Sequence, residues 1–277
     1  MPIAVWATVT MSWGASNRNP LVSAGGPSYL LPPPSTIIGA IARGIAKLKG
    51  WGELTRLDKG AYSTAFRLAK LILAAGAGLL EGSLAPVNLT NRYLAIPYLR
   101  PENRKNRALW FGAQAMGYVF TGDARLCIAA VFDDEVTSIA SLRELELSAA
   151  SILSLGSKES LVSVESYGAM DVSEASGGTT GYYAPIESVA DAERGIVEVY
   201  WDPRDYRAYT RTGRLASSRL TVIVPVRHVV NGAIIGHEGE DEFFLEIKDD
   251  YPSYKIPGDC GNLPALPSTP HSGVIVR

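Results

Sequence analysis

The stretch SYLLPPPSTIIGAI, Ser28 to Ile41, decides how the N-terminal half of the chain is read. Its prolines, Pro32 to Pro34, cannot continue a central strand or sit inside a helix, because each fixes φ and removes a backbone donor. The run that follows places Ile37, Ile41, Ile45 and Leu48 at helical spacing, with Arg43 and Lys47 on another face. Ser35 or Thr36 stands where an N-cap belongs. The reading is a helix launched from a proline turn, and the neighbouring segments are placed around it.

Upstream, Ile3, Val5, Ala7, Val9, Met11 and Trp13 alternate with Thr8, Thr10 and Ser12, which predicts a half-buried strand leading into a polar, Gly-rich stretch from Gly14 to Ser28. Downstream, a second helix is expected over about Ala61 to Leu80, ending near Gly82. Its most apolar part, Leu71 to Leu80, has only about half the length a membrane-spanning helix needs and follows Arg67 and Lys70, so it reads as buried helix. From Leu84 to Met116 the residues turn polar, aromatic and basic, with Pro86, Pro97 and Pro101 excluding a helix; this is a long loop or an extended hairpin. Strands follow at Gly117 to Phe120 and Arg125 to Phe132, around a Thr121-Gly122-Asp123 turn. Ser141-Leu142-Arg143-Glu144 has capping-box spacing, Leu142, Leu145, Ala149 and Ile152 make an apolar stripe, and Gly156 is placed to end that helix. A strand from Leu161 to Val164 comes next.

The order strand, helix, strand, strand, helix, strand is the ferredoxin-like βαββαβ order shared by RNA-recognition sheets, an α+β fold. Residues 1–168 are assigned to this domain, with 84–116 as an insertion, and 169–277 to a β-rich C-terminal portion. There, Ile196 to Trp201, Leu220 to Val226, Phe243 to Ile247 and Val274 to Val276 read as strands.

The chain has 277 residues, 47% hydrophobic and 19% charged, with a mean hydropathy of +0.07. That composition belongs to soluble globular proteins and excludes disordered or fibrous classes. The net charge of −2 conceals two unequal parts. Up to Arg125 there are 14 basic and 5 acidic residues, a net +9; the remainder holds 12 and 23, a net −11. A basic half on a near-neutral protein suits a polyanion partner. Cys127 and Cys260 are too few for a disulfide framework, are not CxxC-spaced and have no neighbouring histidines, so no zinc or redox motif is expected. Met1-Pro2-Ile3 opens no signal peptide, and a cytoplasmic protein is expected.

His228, His237 and His271 all lie in the C-terminal fifth, leaving the basic half without an imidazole for acid–base work near neutral pH. This disfavours a ribonuclease, although Lys, Tyr or Ser could serve one. Asp133-Asp134-Glu135 and His237 to Glu242 could hold a hard cation, but both read better as solvated turns, so neither metal nor cofactor is expected. Gly156-Ser157-Lys158-Glu159-Ser160 lacks the Walker A order; as a turn it could present backbone N–H groups and Lys158 to a phosphate, or simply stop a helix. Between Asn91 and Trp110, Arg92, Arg100, Arg104, Lys105 and Arg107 are interleaved with Tyr93, Tyr98 and Trp110, a mixture in which cations neutralise phosphates and rings stack on unpaired bases. A solvated basic loop is the plain alternative. Arg204 to Arg219 repeats the pattern with Arg207, Arg211, Arg214, Tyr206 and Tyr209, where ion pairs with Asp202 and Asp205 are the ordinary alternative.

SYLLPPPSTIIGAI resembles the N-terminal motif of the CRISPR-associated Cas-five family of the RAMP superfamily, and LGSKESLVSV, Leu155 to Val164, resembles that family's second signature, a glycine turn entering a strand. The archaeal, type I-A branch is the one it most resembles, over roughly Ile3 to Gly168. The resemblance implies a non-catalytic subunit of the Cascade surveillance complex, acting in antiviral defence, that binds the crRNA 5′ handle and caps a filament of Cas-seven backbone subunits. Large and small subunits and a helicase would be further partners, with no membrane association. It implies that the ferredoxin-like domain binds the handle, with Tyr29 to Lys47 and Gly156 to Ser160 as the matching segments, and that a thumb hairpin, Leu84 to Met116 by its place in the order, packs on the first Cas-seven subunit; RNA contacts are expected on residue chemistry from Ser35, Thr36, Arg43, Lys47, Arg92, Tyr93, Tyr98, Arg100, Arg104, Lys105, Arg107, Gly156, Ser157, Lys158, Arg211 and Arg214. A type I-C branch cleaves precursor RNA with Tyr, Lys and His, an activity not carried over here because no histidine precedes His228. A metal-independent endoribonuclease processing repeat RNA is the alternative.

Overall fold

Strand β1 (Ile3–Met11) is an inner strand of a four-stranded antiparallel sheet in a computed structural model describing residues 1–17, 19, 26–57, 60–157, 160–191, 195–210, 217–225, 228–230, 233–235 and 244–270. After it come β2 (Gly14–Ala15), α1 (Pro34–Leu48), a small hairpin of β3 (Leu54–Leu57) and β4 (Gly60–Ser63), and the one-turn α2 (Phe66–Ala69). Then follow β5 (Ile72–Glu81), β6 (Ser83–Leu94), β7 (Phe111–Phe120), β8 (Ala124–Phe132), α3 (Leu142–Ala150) and β9 (Ser163–Asp171). The sheet order is β5-β8-β1-β9, with β1 registered from Ile3 opposite Phe132 to Met11 opposite Ala124. Helices α1 and α3 pack on one face, where Ile37, Ile38, Ile41 and Ile45 meet Val5, Val9, Leu145 and Ala149.

The second helix expected over Ala61 to Leu80 is wrong in its main part: only Phe66–Ala69 is helical, and Ile72–Glu81 is a strand. Alanine and glycine in LAAGAG give no β-branched signal, but they serve a strand squeezed from both faces. A Cβ on Gly76 would lie 2.6 Å from Leu266 Cδ1 of the C-terminal portion. Gly117 to Phe120 also has a different place, in the outer hairpin and not in the four-stranded sheet. The two middle strands of the order are therefore β5 and β8.

Smaller corrections follow local chemistry. β1 is buried on both faces, not half-buried, because Tyr254, Ile256 and Leu263 pack with the Ala4 side of the sheet; it stops at Met11, leaving Trp13 72% exposed. Pro33 is the N-cap of α1, without any side-chain cap, and Pro34 opens the helix, so Ser35 and Thr36 lie inside its first turn. Leu48 is exposed. The Ser141–Glu144 capping box is present, and Lys49 beside Glu144 (2.8 Å) holds that carboxyl down at about 2. Helix α3 ends at Ala150, short of Gly156, which turns the chain later at φ +109°. The strand read at Leu161 starts at Ser163.

The segment from 84 to 116 is a hairpin: β6 and β7 pair from Ala85 opposite Phe120 to Leu94 opposite Phe111, and three short 3-10 turns cross its far end. Beyond β9 lie β10 (Glu174–Thr180), β11 (Ala184–Pro185), β12 (Ile196–Trp201), β13 (Arg219–Val224), β14 (His228–Val230), β15 (Ala233–Ile235), β16 (Leu245–Tyr254) and β17 (Leu266–Pro267). They form the sheets β10-β16-β17 and β11-β13-β12, while β14 and β15 extend the outer hairpin through β6. The strand expected at Phe243 to Ile247 starts at Leu245 and runs on to Tyr254, that at Leu220 starts at Arg219 and ends at Val224, and residues 243 and 274–276 lie outside the described residues. Cys127 of β8 and Cys260 are joined in a disulfide beneath Tyr182, a pairing unforeseen in the sequence. No helix among the described residues is long and apolar enough to cross a membrane.

Candidate nucleic-acid interface

A cavity of about 470 Å³ opens where three segments of the stretch 16–36 meet two distant ones: Ser16-Asn17 after β2, Gly26-Pro27 and the start of α1 at Pro33 and Thr36 face Met116-Gly117 in β7 and the Gly156-Ser157 turn. The sequence closes these segments onto one another through small hydroxyl groups. Ser16 N donates to Ser160 Oγ (3.0 Å), Ser16 Oγ donates to Gly117 O (2.9 Å), and Ser157 N donates to Ser16 O (3.2 Å). Asn17 N donates to Ser28 Oγ (2.8 Å), and Tyr29 N returns a bond to Asn17 O (2.8 Å). Gly117 is needed for the approach, since a Cβ there would lie 2.2 Å from Ser28 N. Gly156 combines its positive φ with a hypothetical Cβ only 2.4 Å from Asn17 Oδ1.

The proline turn is clamped from behind by the C-terminal portion. Leu30 N donates to Glu198 Oε1 (3.1 Å), Tyr200 OH donates to Glu198 Oε2 (2.6 Å), Tyr183 OH donates to Pro32 O (3.1 Å) and Tyr29 OH donates to Val199 O. The rings of Tyr29 and Tyr183 meet Tyr200 edge-on at 4.5 and 5.2 Å. Burial pushes the Glu198 carboxyl up to about 7, and burial with that carboxyl nearby raises Tyr29, Tyr183 and Tyr200.

Of the residues singled out in the sequence, Thr36, Gly156 and Ser157 line the cavity, and half-buried Ser35 adjoins Thr36. No acidic residue stands in the first turn of α1, so its positive end is uncompensated there. Arg43 and Lys47 are exposed but ~10 and ~16 Å further along the helix axis. Arg92, Tyr93, Tyr98, Arg100, Arg104, Lys105 and Arg107 are exposed on the outer hairpin, whose far end is ~20 Å from Gly117. Trp110 organises that end: its Nε1 donates to Arg104 O (2.7 Å) and Arg107 lies 5.6 Å from its ring centre. Five cations share the segment from Asn91 to Trp110 with one acid, Glu102, beside exposed Tyr98 (83%) and Phe111 (73%).

Lys158, Arg211 and Arg214 lie outside the described residues, as does the whole acidic stretch, residues 237–242. Arg207 forms an ion pair with Asp205 (2.7 Å), and Arg204 N donates to Asp202 Oδ1 (2.8 Å). Asp133 Oδ1 accepts from Glu135 N (3.0 Å), and among the described residues no cluster of three His, Cys, Asp or Glu is placed to hold a metal. Sequence reading missed Asn17, hidden in a polar stretch without a motif. It also missed Glu198, although alternation in IVEVYW puts Glu198 on the same strand face as Ile196 and Tyr200.

No family model matches the chain. Its fold is that of a CRISPR protein: a solved structure from Archaeoglobus fulgidus, described as a CRISPR protein, superimposes with a TM-score of 0.58 over 97% of this chain and all of that one, at 21% identity. CRISPR-associated protein Cas5 2 of Saccharolobus solfataricus is 32% identical over 190 residues, 65% of this chain and 67% of the relative. The CRISPR system aCascade subunit Cas5 1 of the same organism is 30% identical over 199 residues, 71% and 78% of the two chains. The chain belongs to the Cas5 family of CRISPR-associated proteins.

Proposed function

We propose that this protein is a non-catalytic subunit of an archaeal, type I-A Cascade complex, holding the 5′ handle of the crRNA and capping the backbone filament. One observation carries the reading: the two family-like strings, far apart in sequence, converge on a single cavity through Thr36 and through Gly156-Ser157. The sheet order β5-β8-β1-β9 with two helices on one face supports a ferredoxin-like domain, and a relative named as an aCascade subunit supports the type assignment. A single-stranded handle offers phosphates and splayed bases, which suit a helix N-terminus and a polar cavity better than a duplex would. The outer hairpin is the thumb, its exposed Tyr98 and Phe111 facing the Cas-seven backbone subunit and its cations the RNA. The hydroxyl and carboxamide groups lining the cavity support binding without general acid–base chemistry.

The test is to incubate the purified protein with labelled repeat-derived RNA in EDTA. Retention on a filter without cleavage products is expected. Discrete products would sink the non-catalytic reading in favour of a metal-independent endoribonuclease.

A further inference from the structure

The segment from Ser28 to Pro32 is held from two sides. On one side it carries the cavity wall: Ser28 Oγ accepts from Asn17 N (2.8 Å), Tyr29 N donates to Asn17 O (2.8 Å), and Pro33 and Thr36, which follow, line the cavity. On the other side β12 holds it, chiefly through Glu198. Leu30 N donates to Glu198 Oε1 (3.1 Å), Tyr200 OH donates to Oε2 (2.6 Å), and Tyr29 OH donates to Val199 O one residue along. One carboxyl of the C-terminal portion thus fixes the main chain three residues before Pro33, where α1 and the cavity lining begin.

The surroundings of that carboxyl make its charge unfavourable. The titratable side chains facing it are Tyr29 of the proline turn, Tyr183 next to β11 and Tyr200 of β12 itself, all three kept neutral by burial. β13 places Val222 opposite Glu198, and α1, packed on the same strand, carries its Arg43 and Lys47 exposed. Among the described residues no Lys, Arg or His offsets the charge, and two hydrogen bonds are its support. Ionisation therefore leaves a largely buried anion without a counter-ion, which is relieved by drawing the turn away from β12 or admitting water between them. It also places negative charge behind the first turn of α1, where a polyanion would approach. We propose that Glu198 is a positioning residue for the cavity: protonated, it holds the proline turn in the form that binds RNA, and ionised, it releases the turn, so that RNA affinity is linked to pH. The inference rests on the RNA-binding reading above and adds regulation to it. Desolvation brings the titration of this carboxyl from an ordinary 4.5 up to about 7, which puts the change in the neutral range.

The experiment measures the affinity of the full chain for labelled single-stranded RNA carrying the repeat-derived 5′ handle, across the neutral pH range at fixed salt. If the protonated form alone binds, wild type should lose about tenfold in affinity over the two pH units centred on the titration. His228, His237 and His271 discharge in the same range, and Glu198→Gln retains them, so the ratio of the two profiles isolates Glu198. Gln keeps an acceptor for Leu30 N and never ionises; the ratio of wild-type to variant affinity should be close to unity on the acid side and fall about tenfold on the alkaline side. Tyr200→Phe removes a hydrogen bond that favours the carboxylate, so it should move the midpoint of the fall to higher pH, whereas a role confined to packing would leave the midpoint in place. If Glu198→Gln does not fold, that midpoint decides the same question. Superimposable profiles for wild type and Glu198→Gln, or a midpoint unmoved in Tyr200→Phe, would overturn the inference and leave handle binding standing. Absence of handle binding by wild type at every pH would instead overturn the binding reading itself.

Discussion

Glu198 is the residue whose ionisation bears most on the architecture of the cavity. Its carboxyl, mostly buried behind the proline turn and facing Tyr29, Tyr183, Tyr200 and Leu30 N, has its pKa raised from an ordinary 4.5 to about 7 by desolvation. The folded state therefore holds a proton that the unfolded state has released. The stability this contributes is fully present below pH 4.5 and is lost as pH rises through 7, up to about 3 kcal/mol in all. Glu198→Gln keeps the shape and never ionises. Thermal melts from pH 4 to 8 should show wild type losing stability relative to the variant as pH rises, with the two closest at pH 4; parallel curves would refute the buried-acid account. Gly156 makes the second prediction at this scale. Gly156→Ala forces a β-carbon onto a positive φ and against Asn17, so it should lower stability by ~1–3 kcal/mol in denaturant melts and weaken RNA binding.

Among the elements, the outer hairpin separates charge from cavity. Its Arg104, Lys105 and Arg107 lie at the far end, away from the cavity between α1 and β7, so in the proposed complex they meet phosphates further along the RNA. Replacing all three by Ala should lower affinity for every RNA alike and reduce the salt slope of log K by up to about 2, at ~0.7 per phosphate contact. Titrations at several salt concentrations measure this; an unchanged slope would remove the hairpin cations from the interface. Element by element, sequence was a good guide where the signal is local. The capping box, the strand at Arg125 to Phe132 and the proline-launched helix depend on residues within a turn or two of one another. It failed where distant chain decides. Ile72–Glu81 is a strand because β8 pairs with it and Leu266 presses on Gly76, and neither cause lies in its own composition. The candidate site divides the same way: Thr36, Gly156 and Ser157 belong to strings that can be read, whereas Glu198 matters through partners far away in sequence and Asn17 through a cavity whose other walls are distant in the chain.

For the whole molecule, the question is what the C-terminal portion does for the sheet. One face of β5, β8 and β1 carries Ala74, Ala129, Cys127, Val131 and Ala4, and all are buried only because Tyr182, Tyr254, Ile256, Leu263 and Leu266 cover them. The same portion supplies Glu198 and Tyr200 to the proline turn, so it braces the sheet from one side and the cavity from another. The Cys127–Cys260 bond ties this cover to β8 across 133 residues of sequence. Closing so long a loop restricts the unfolded chain strongly, and losing such a bond typically costs about 2–5 kcal/mol. Wild type purified without reductant should expose no reactive thiol on denaturation, and the double substitution Cys127→Ser, Cys260→Ser should lose that much stability in denaturant melts while its native state keeps the wild-type affinity for RNA. The sulfur atoms are buried away from the cavity, so stability and binding should part company in this variant. If instead affinity falls with stability even well below the melting transition, the cover positions the cavity through the disulfide as well as through Glu198.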